Sequence, residues 1–417
     1  MSFSKIPSNG TAPSGLPTLA DAVPQPTHSN GSSSSARPSP LRNTERVSRP
    51  ITVSEPSSSS AKRGEHPTQL DSSSSSQKKQ RTVQKLESKL RKLETKVNLI
   101  YDVMVAQMLR MENDSGRYLE AERLFTRVAP YYKGSPPPSI ISEGAFALLG
   151  QGKSLPASRL YEQVIRKFSS EDVPAAVLAC AAKAHLNIGE FVEAERLFNQ
   201  AIKKFGAVVP AEVLLEAAYV KMMLKKYHLA TQLYTQAIEK LGGDVTAIVL
   251  AEAAFVKLQL QNFQAADELY ALAIEKFGAD VPAVVLAGAA YVKMRLQDFQ
   301  AADELYTQAI QKYGTDVPAA VLAEAATAKA ALGDFPKADK LLVYAIQKYG
   351  TAVPAIVLAE AAYVKMQLHE FQAADELYTL ANMKFGINVP AVVLVEAAQA
   401  RNELNKRNGA TLEPVID

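Results

Sequence analysis

Residues able to do chemistry are few, and their spacing decides what they can do. The histidines are His28, His66, His185, His228 and His369. No two stand at the helical spacing that would let them share a metal, and no HExxH occurs, so no metal site and no cofactor is expected. Gly150, Gln151, Gly152, Lys153 and Ser154 look like the end of a phosphate loop. That pattern needs glycine where Ala147 stands, and a strand before it where the sequence reads as helix. Asp267/Glu268, Asp303/Glu304 and Asp375/Glu376 are acid pairs, but adjacent helical residues point apart and cannot share one substrate atom. Cys180 is the only cysteine, stands where sister segments carry Glu or Gly, and reads as a buried thiol. No catalytic constellation emerges, and the sequence reads as a non-enzyme.

The elements holding these residues fall into three parts of a 417-residue chain. Residues 1–80 contain 21 serines and ten prolines, with Phe3 as the sole aromatic. So little apolar surface cannot offset ordering entropy, and a disordered tail is expected. Residues 81–112 read as a basic helix. Val83, Leu86, Leu90, Leu93, Val97, Ile100, Met104 and Met111 alternate steps of three and four, flanked by Lys85, Glu87, Lys89, Arg91, Lys92 and Glu94. That is a coiled-coil seam, roughly 40 Å long if continuous from 83 to 111. It either docks onto the first hairpin or pairs with a second copy through residues 83–104.

Residues 113–389 are a repeat, with 390–417 as a capping helix and C-terminal tail. Val-Pro recurs at 173, 209, 281, 317, 353 and 389, and Val245-Thr246 fills the gap, so each interval is 36 residues. A fixed period of this size means stacked supersecondary units, each too small to bury its apolar face alone. Within one unit, Pro282 opens a helix through Val285, Leu286, Ala289 and Ala290. Gln297-Asp298 marks a turn where sister units have Gly189 and Gly333, and a second helix runs from Phe299 to Ile310 before Gly314.

These residues resemble the tetratricopeptide repeat. Its second-helix pattern is present as Ala194/Phe198, Ala230/Tyr234, Ala266/Tyr270, Ala302/Tyr306 and Ala374/Tyr378, and its turn as Leu332-Gly333-Asp334-Phe335. The period is 36 rather than 34, and Lys221, Lys257, Lys293 and Lys365 replace the family's first-helix aromatic. The resemblance implies an all-α, right-handed α-solenoid that binds other proteins on the surface lined by its first helices. There it places Tyr219, Phe255, Tyr291 and Tyr363, with Met222, Met294 and Met366 three residues on. These side chains either anchor a partner or pack between neighbouring first helices. A second ladder, Glu216, Glu252, Glu324, Glu360 and Glu396, broken by Gly288, reads as a partner-selecting strip or a solvated face.

The leading expectation is an adaptor for a partner peptide or helix. RNA binding is the alternative suggested by a fainter likeness to pentatricopeptide repeats. Residues 1–96 carry 15 Lys+Arg against seven Asp+Glu, a net of +8, which leaves −5 for the repeats, the wrong sign for an RNA groove. A third reading is a secreted bacterial effector acting by protein binding, with the serine-rich tail as its leader. One cysteine and the absence of a signal-like apolar core or a membrane-length apolar run point to an intracellular, cytoplasmic setting.

Overall fold

A computed structural model describes residues 72–132, 134–168 and 172–410. The expected tail, as far as residue 71, and residues 411–417 lie outside the described residues. Among those described there is no strand, and no helix is long and apolar enough to cross a membrane. Helix α1 spans Ser72–Asp114. It starts inside the serine run that composition assigns to the tail, so the expected boundary at residue 81 moves. Propagating a helix from the heptad segment adds one hydrogen bond per residue fixed, and serine opposes this only weakly. The chain divides into two compact units, one containing α1 as far as Met108 and one containing the array from Leu109. Val83, Leu86, Leu90, Leu93, Val97 and Ile100, the predicted seam, are all exposed.

The array begins with α2 (Tyr118–Val128), then α3 (Pro138–Gly150) and α4 (Ser154–Lys167). Next come the pairs α5/α6 (Ala175–Asn187, Phe191–Phe205) and α7/α8 (Ala211–Met223, Tyr227–Leu241). Pairs α9/α10 (Ala247–Gln259, Phe263–Phe277) and α11/α12 (Ala283–Arg295, Phe299–Tyr313) follow. The last pairs are α13/α14 (Ala319–Ala331, Phe335–Tyr349) and α15/α16 (Ala355–Gln367, Phe371–Phe385), and α17 (Ala391–Ala410) closes the described chain. From α3 to α16 each first helix packs on its hairpin partner, and each second helix packs on the first helix of the next hairpin.

Local chemistry sets these boundaries. Pro210, Pro282, Pro318 and Pro354 stand just outside their helices as caps, with φ near −63° and ψ near 147°, the extended geometry proline's ring favours. In the slot without proline, the Thr246 hydroxyl accepts a hydrogen bond from the Val249 amide at 3.3 Å. First helices end in one recurring turn. In the α11/α12 hairpin the Gln297 amide donates to the Met294 carbonyl and the Asp298 amide reaches back to Lys293, the double bond that closes a helix when one residue turns left-handed. Second helices end at Gly206, Gly242, Gly278, Gly314, Gly350 and Gly386, whose φ of 49–60° with ψ near −120° is open only to glycine.

Paired alanines form the floor of the core. Ala217/Ala218, Ala289/Ala290 and Ala361/Ala362 are buried, and their small size brings helix backbones close enough for the second-helix rings to fill the gap. Those rings, Phe198, Tyr234, Tyr270, Tyr306 and Tyr378, are among the largest fully buried side chains. At the far end α17 turns polar at Arg401, Asn402 and Glu403, while Val392, Leu394 and Val395 on its first turns are exposed.

Candidate binding surface

First helices of successive hairpins approach one another at α3/α5, α5/α7, α9/α11, α11/α13, α13/α15 and α15/α17, more closely than second helices do. On each of them the glutamate, ring and methionine positions follow at steps of three, on one face. Tyr219, Phe255, Tyr291 and Tyr363 are half-buried: each packs against the core and leaves part of its ring uncovered. Burial pushes the hydroxyls of Tyr291 and Tyr363 upward from the ordinary tyrosine value. Met294 and Met366 are likewise half-buried. Met222 differs from its expected role. It lies 5% exposed in a cluster with Ala218, Tyr234 and Val256, and so fills core space rather than meeting a partner.

The glutamate ladder is neither a solvated face nor a free strip. The hydroxyls of Tyr234, Tyr306 and Tyr378 donate to Glu252, Glu324 and Glu396 at 3.1, 2.9 and 3.1 Å, each from a second helix onto the next first helix. Where the second-helix residue lacks a hydroxyl, the partner changes. Phe198 precedes Glu216, which pairs instead with Lys183 at 2.6 Å. Leu342 precedes Glu360, which accepts from Thr327 at 3.4 Å. At the break, the Tyr270 ring lies where a side chain at 288 would begin, its hydroxyl 2.5 Å from an ideal Cβ, which accounts for Gly288. In the first such pairing Cys180 takes the glutamate's place beside Tyr161, and burial pushes its thiol up to about 11, an inert thiol rather than a nucleophile. Desolvation pushes the carboxyls of Glu252, Glu324 and Glu360 up to about 7, and raises those of Glu216 and Glu396.

The first-helix lysines other than Lys257 are also committed. Lys293, Lys329 and Lys365 reach back to Asp267, Asp303 and Asp339 on the preceding second helix at 2.8, 2.7 and 2.9 Å. Lys221 bonds Glu195 at 2.6 Å, and Arg401 bonds Asp375 at 2.8 Å. A third set sits at the second-helix ends, where Lys276 and Lys384 donate to the carbonyls of Val245 and Val353, both at 2.9 Å. Much of the repeated charge on these faces therefore serves unit-to-unit clasps. Sequence reasoning missed them because each joins two helices of different hairpins, although the constant separations of 18 and 26 residues carry the signal.

The phosphate-loop look-alike is a helix–turn–helix corner. Lys153 pairs with Glu122 at 2.7 Å, and the Tyr118 ring lies 2.6 Å from where a Cβ on Gly150 would stand. Among the described residues no group of histidine, cysteine or acidic side chains is arranged to hold a metal ion.

Fold and inner ladder together define an array of tetratricopeptide-like helical hairpins. No known family profile matches the sequence, and no curated protein matches it. Among solved structures, the chain is similar to one from the APC/C hetero-tetramer Cut9–Hcn1, at 14% identity and a TM-score of 0.48. That match covers 68% of this chain and 52% of the other, about half its length. A tetratricopeptide repeat protein from Parabacteroides merdae shares 16% identity over 64% of this chain and 99% of that one, with a TM-score of 0.47. PilW, a type IV pilus biogenesis factor, shares 15% identity over 54% of this chain and 98% of that one, with a TM-score of 0.46. At such identities the likeness reaches the general architecture and no further.

Proposed function

We propose that this chain is a protein-interaction scaffold holding an apolar peptide or helix of a partner along the inner side of its array. Tyr219, Phe255, Tyr291 and Tyr363 are the anchors, with Met294 and Met366 beside them. The observation carrying this reading is the half-burial of the rings on first helices of the array. A ring whose base is held by the core loses little entropy on binding, and aromatic residues fixed this way anchor interfaces. Most charged residues around them, Lys257 excepted, are occupied by clasps, so apolar contact is the main attraction left on that face. The repeats' net charge of −5 weighs against an RNA ligand.

The test uses the full chain, immobilised and exposed to lysate of its native cell, beside a variant carrying Tyr219→Thr, Phe255→Thr, Tyr291→Thr and Tyr363→Thr. Thr327 occupies the same position in a sister unit, so the fold accommodates this residue there. Helicity is checked by circular dichroism. A protein retained only by the unaltered chain supports the reading, and equal retention by both folded chains refutes it.

A further inference from the structure

Helix α1 presents an apolar stripe that no described residue of its own unit covers. Val83, Leu86, Leu90, Leu93, Val97, Ile100 and Met104 are each 53–62% exposed. In heptad terms Val83, Leu90, Val97 and Met104 stand at a, and Leu86, Leu93 and Ile100 at d. Val83 and Val97 at a with Leu86 and Leu93 at d are the combination that favours two parallel strands, while Leu90 at a and Ile100 at d depart from it.

The flanking positions say what covers the stripe. Position e carries Glu87, Glu94, Tyr101 and Met108, and position g carries Thr82, Lys89, Lys96 and Val103. In a parallel, in-register pair each g residue faces the e residue five places on in the other strand. Lys89 then meets Glu94, Lys96 meets Tyr101, Val103 meets Met108 and Thr82 meets Glu87, with no like-charge contact. An antiparallel pair sets g against g and e against e, which opposes lysine to lysine and glutamate to glutamate. Among the described residues, Glu87, Lys89, Glu94 and Lys96 enter no ion pair within the chain, so these charges are unspent. The apolar edge also widens after Val97 to include Tyr101, Val103 and Met108, all exposed. Three heptads is short for a coiled coil, and this widening adds buried surface at the end where the charged flanks run out.

We propose that residues 83–104 form a parallel, in-register, two-stranded coiled coil with a second copy of this chain. The dimer carries two copies of the array, so a partner presenting two binding segments is held through both at once, with avidity exceeding that of either contact.

Analytical ultracentrifugation of the full chain tests this. The expected mass at high concentration is twice 45.1 kDa, dissociating on dilution. Leu86→Glu with Leu93→Glu alters only exposed positions of α1 and is expected to give a monomer whose array melts as before. Val83→Cys reads the orientation: equivalent positions meet in the parallel pair, so mild oxidation is expected to cross-link the dimer, and adding Leu86→Glu and Leu93→Glu is expected to abolish the cross-link. Cys180 is half-buried in the array, so these variants also carry Cys180→Ala to keep the native thiol out of this chemistry. A chain monomeric at every concentration, a trimer, or a dimer that survives Leu86→Glu with Leu93→Glu overturns the proposal. So does efficient cross-linking of Val83→Cys chains to Ile100→Cys chains, without linkage between Val83→Cys chains, since position a meets position d in the antiparallel pairing.

Discussion

Replacing Glu252, Glu324 and Glu360 with glutamine tests whether the ladder is held in the array largely protonated. Desolvation lifts each carboxyl from an ordinary 4.5 to about 7. Between those values the folded chain binds protons that the unfolded chain has released, so stability falls as pH rises. The stabilising effect is complete below about 4.5 and is lost as pH climbs through about 7. A shift of that size corresponds to ~3 kcal/mol on the ionised form of each group. Structural relaxation and water entry reduce this to roughly 1–2 kcal/mol each, or about 3–6 kcal/mol for the three together. For an array of this size that is roughly 6–12 °C in melting midpoint. Glutamine keeps the shape and still accepts the Tyr234 and Tyr306 hydroxyl bonds, but carries no charge to desolvate. Glu122 and Glu195 do not interfere in this window. A hydrogen bond from Lys153 lowers the first, and Lys221 and Lys226 outweigh burial to lower the second, so both act below 4.5. Thermal melts followed by circular dichroism at pH 5 and pH 8 should show the wild-type midpoint falling and the triple variant's falling much less, with Glu216 and Glu396, also raised, leaving a residual slope. Because hairpin arrays can melt in segments, the midpoint difference is the readout rather than a fitted free energy. A triple variant that loses as much between the two pH values as wild type refutes the reasoning.

Two further predictions concern places where one unit departs from its sisters. Thr231 stands where the other second helices carry Glu195, Asp267, Asp303, Asp339 and Asp375, and its buried hydroxyl oxygen finds no partner. Thr231→Asp gives Lys257 the acid its sister lysines have and should stabilise the array by ~0.5–1 kcal/mol, a gain that vanishes when Lys257 is also changed to methionine. Chemical denaturation of the single and double variants measures it. In the hairpin turns Lys225, Gln261, Gln297 and His369 hold φ of 58–63°, the geometry Gly189 and Gly333 adopt in sister units. Gln297→Gly should therefore raise the melting midpoint by the equivalent of ~1 kcal/mol, and Gly333→Gln should lower it similarly. Opposite signs for these two substitutions would show that the turn strain is misjudged.

The sequence by itself determined the periodic architecture. A 36-residue spacing of Val-Pro, paired alanines and Gly-terminated second helices leaves stacked hairpins as the way to bury those faces, because helix length, turn position and buried stripe are all local properties. The apolar stripe of α1 was legible for the same reason. What only the tertiary structure decided was which repeated residues face a neighbouring unit. Glu252, Lys293 and Tyr306 read as surface charge or helix core on their own helices, and become clasps only once the next hairpin lies against them. Met222 shows the same limit. It shares a sequence position with Met294 and Met366, yet Tyr234 and Val256 close over it, and Leu258 at the same position is buried too. Periodicity within a helix fixes the direction of a side chain, but the distance and exposure of whatever it meets depend on how one unit settles on the next.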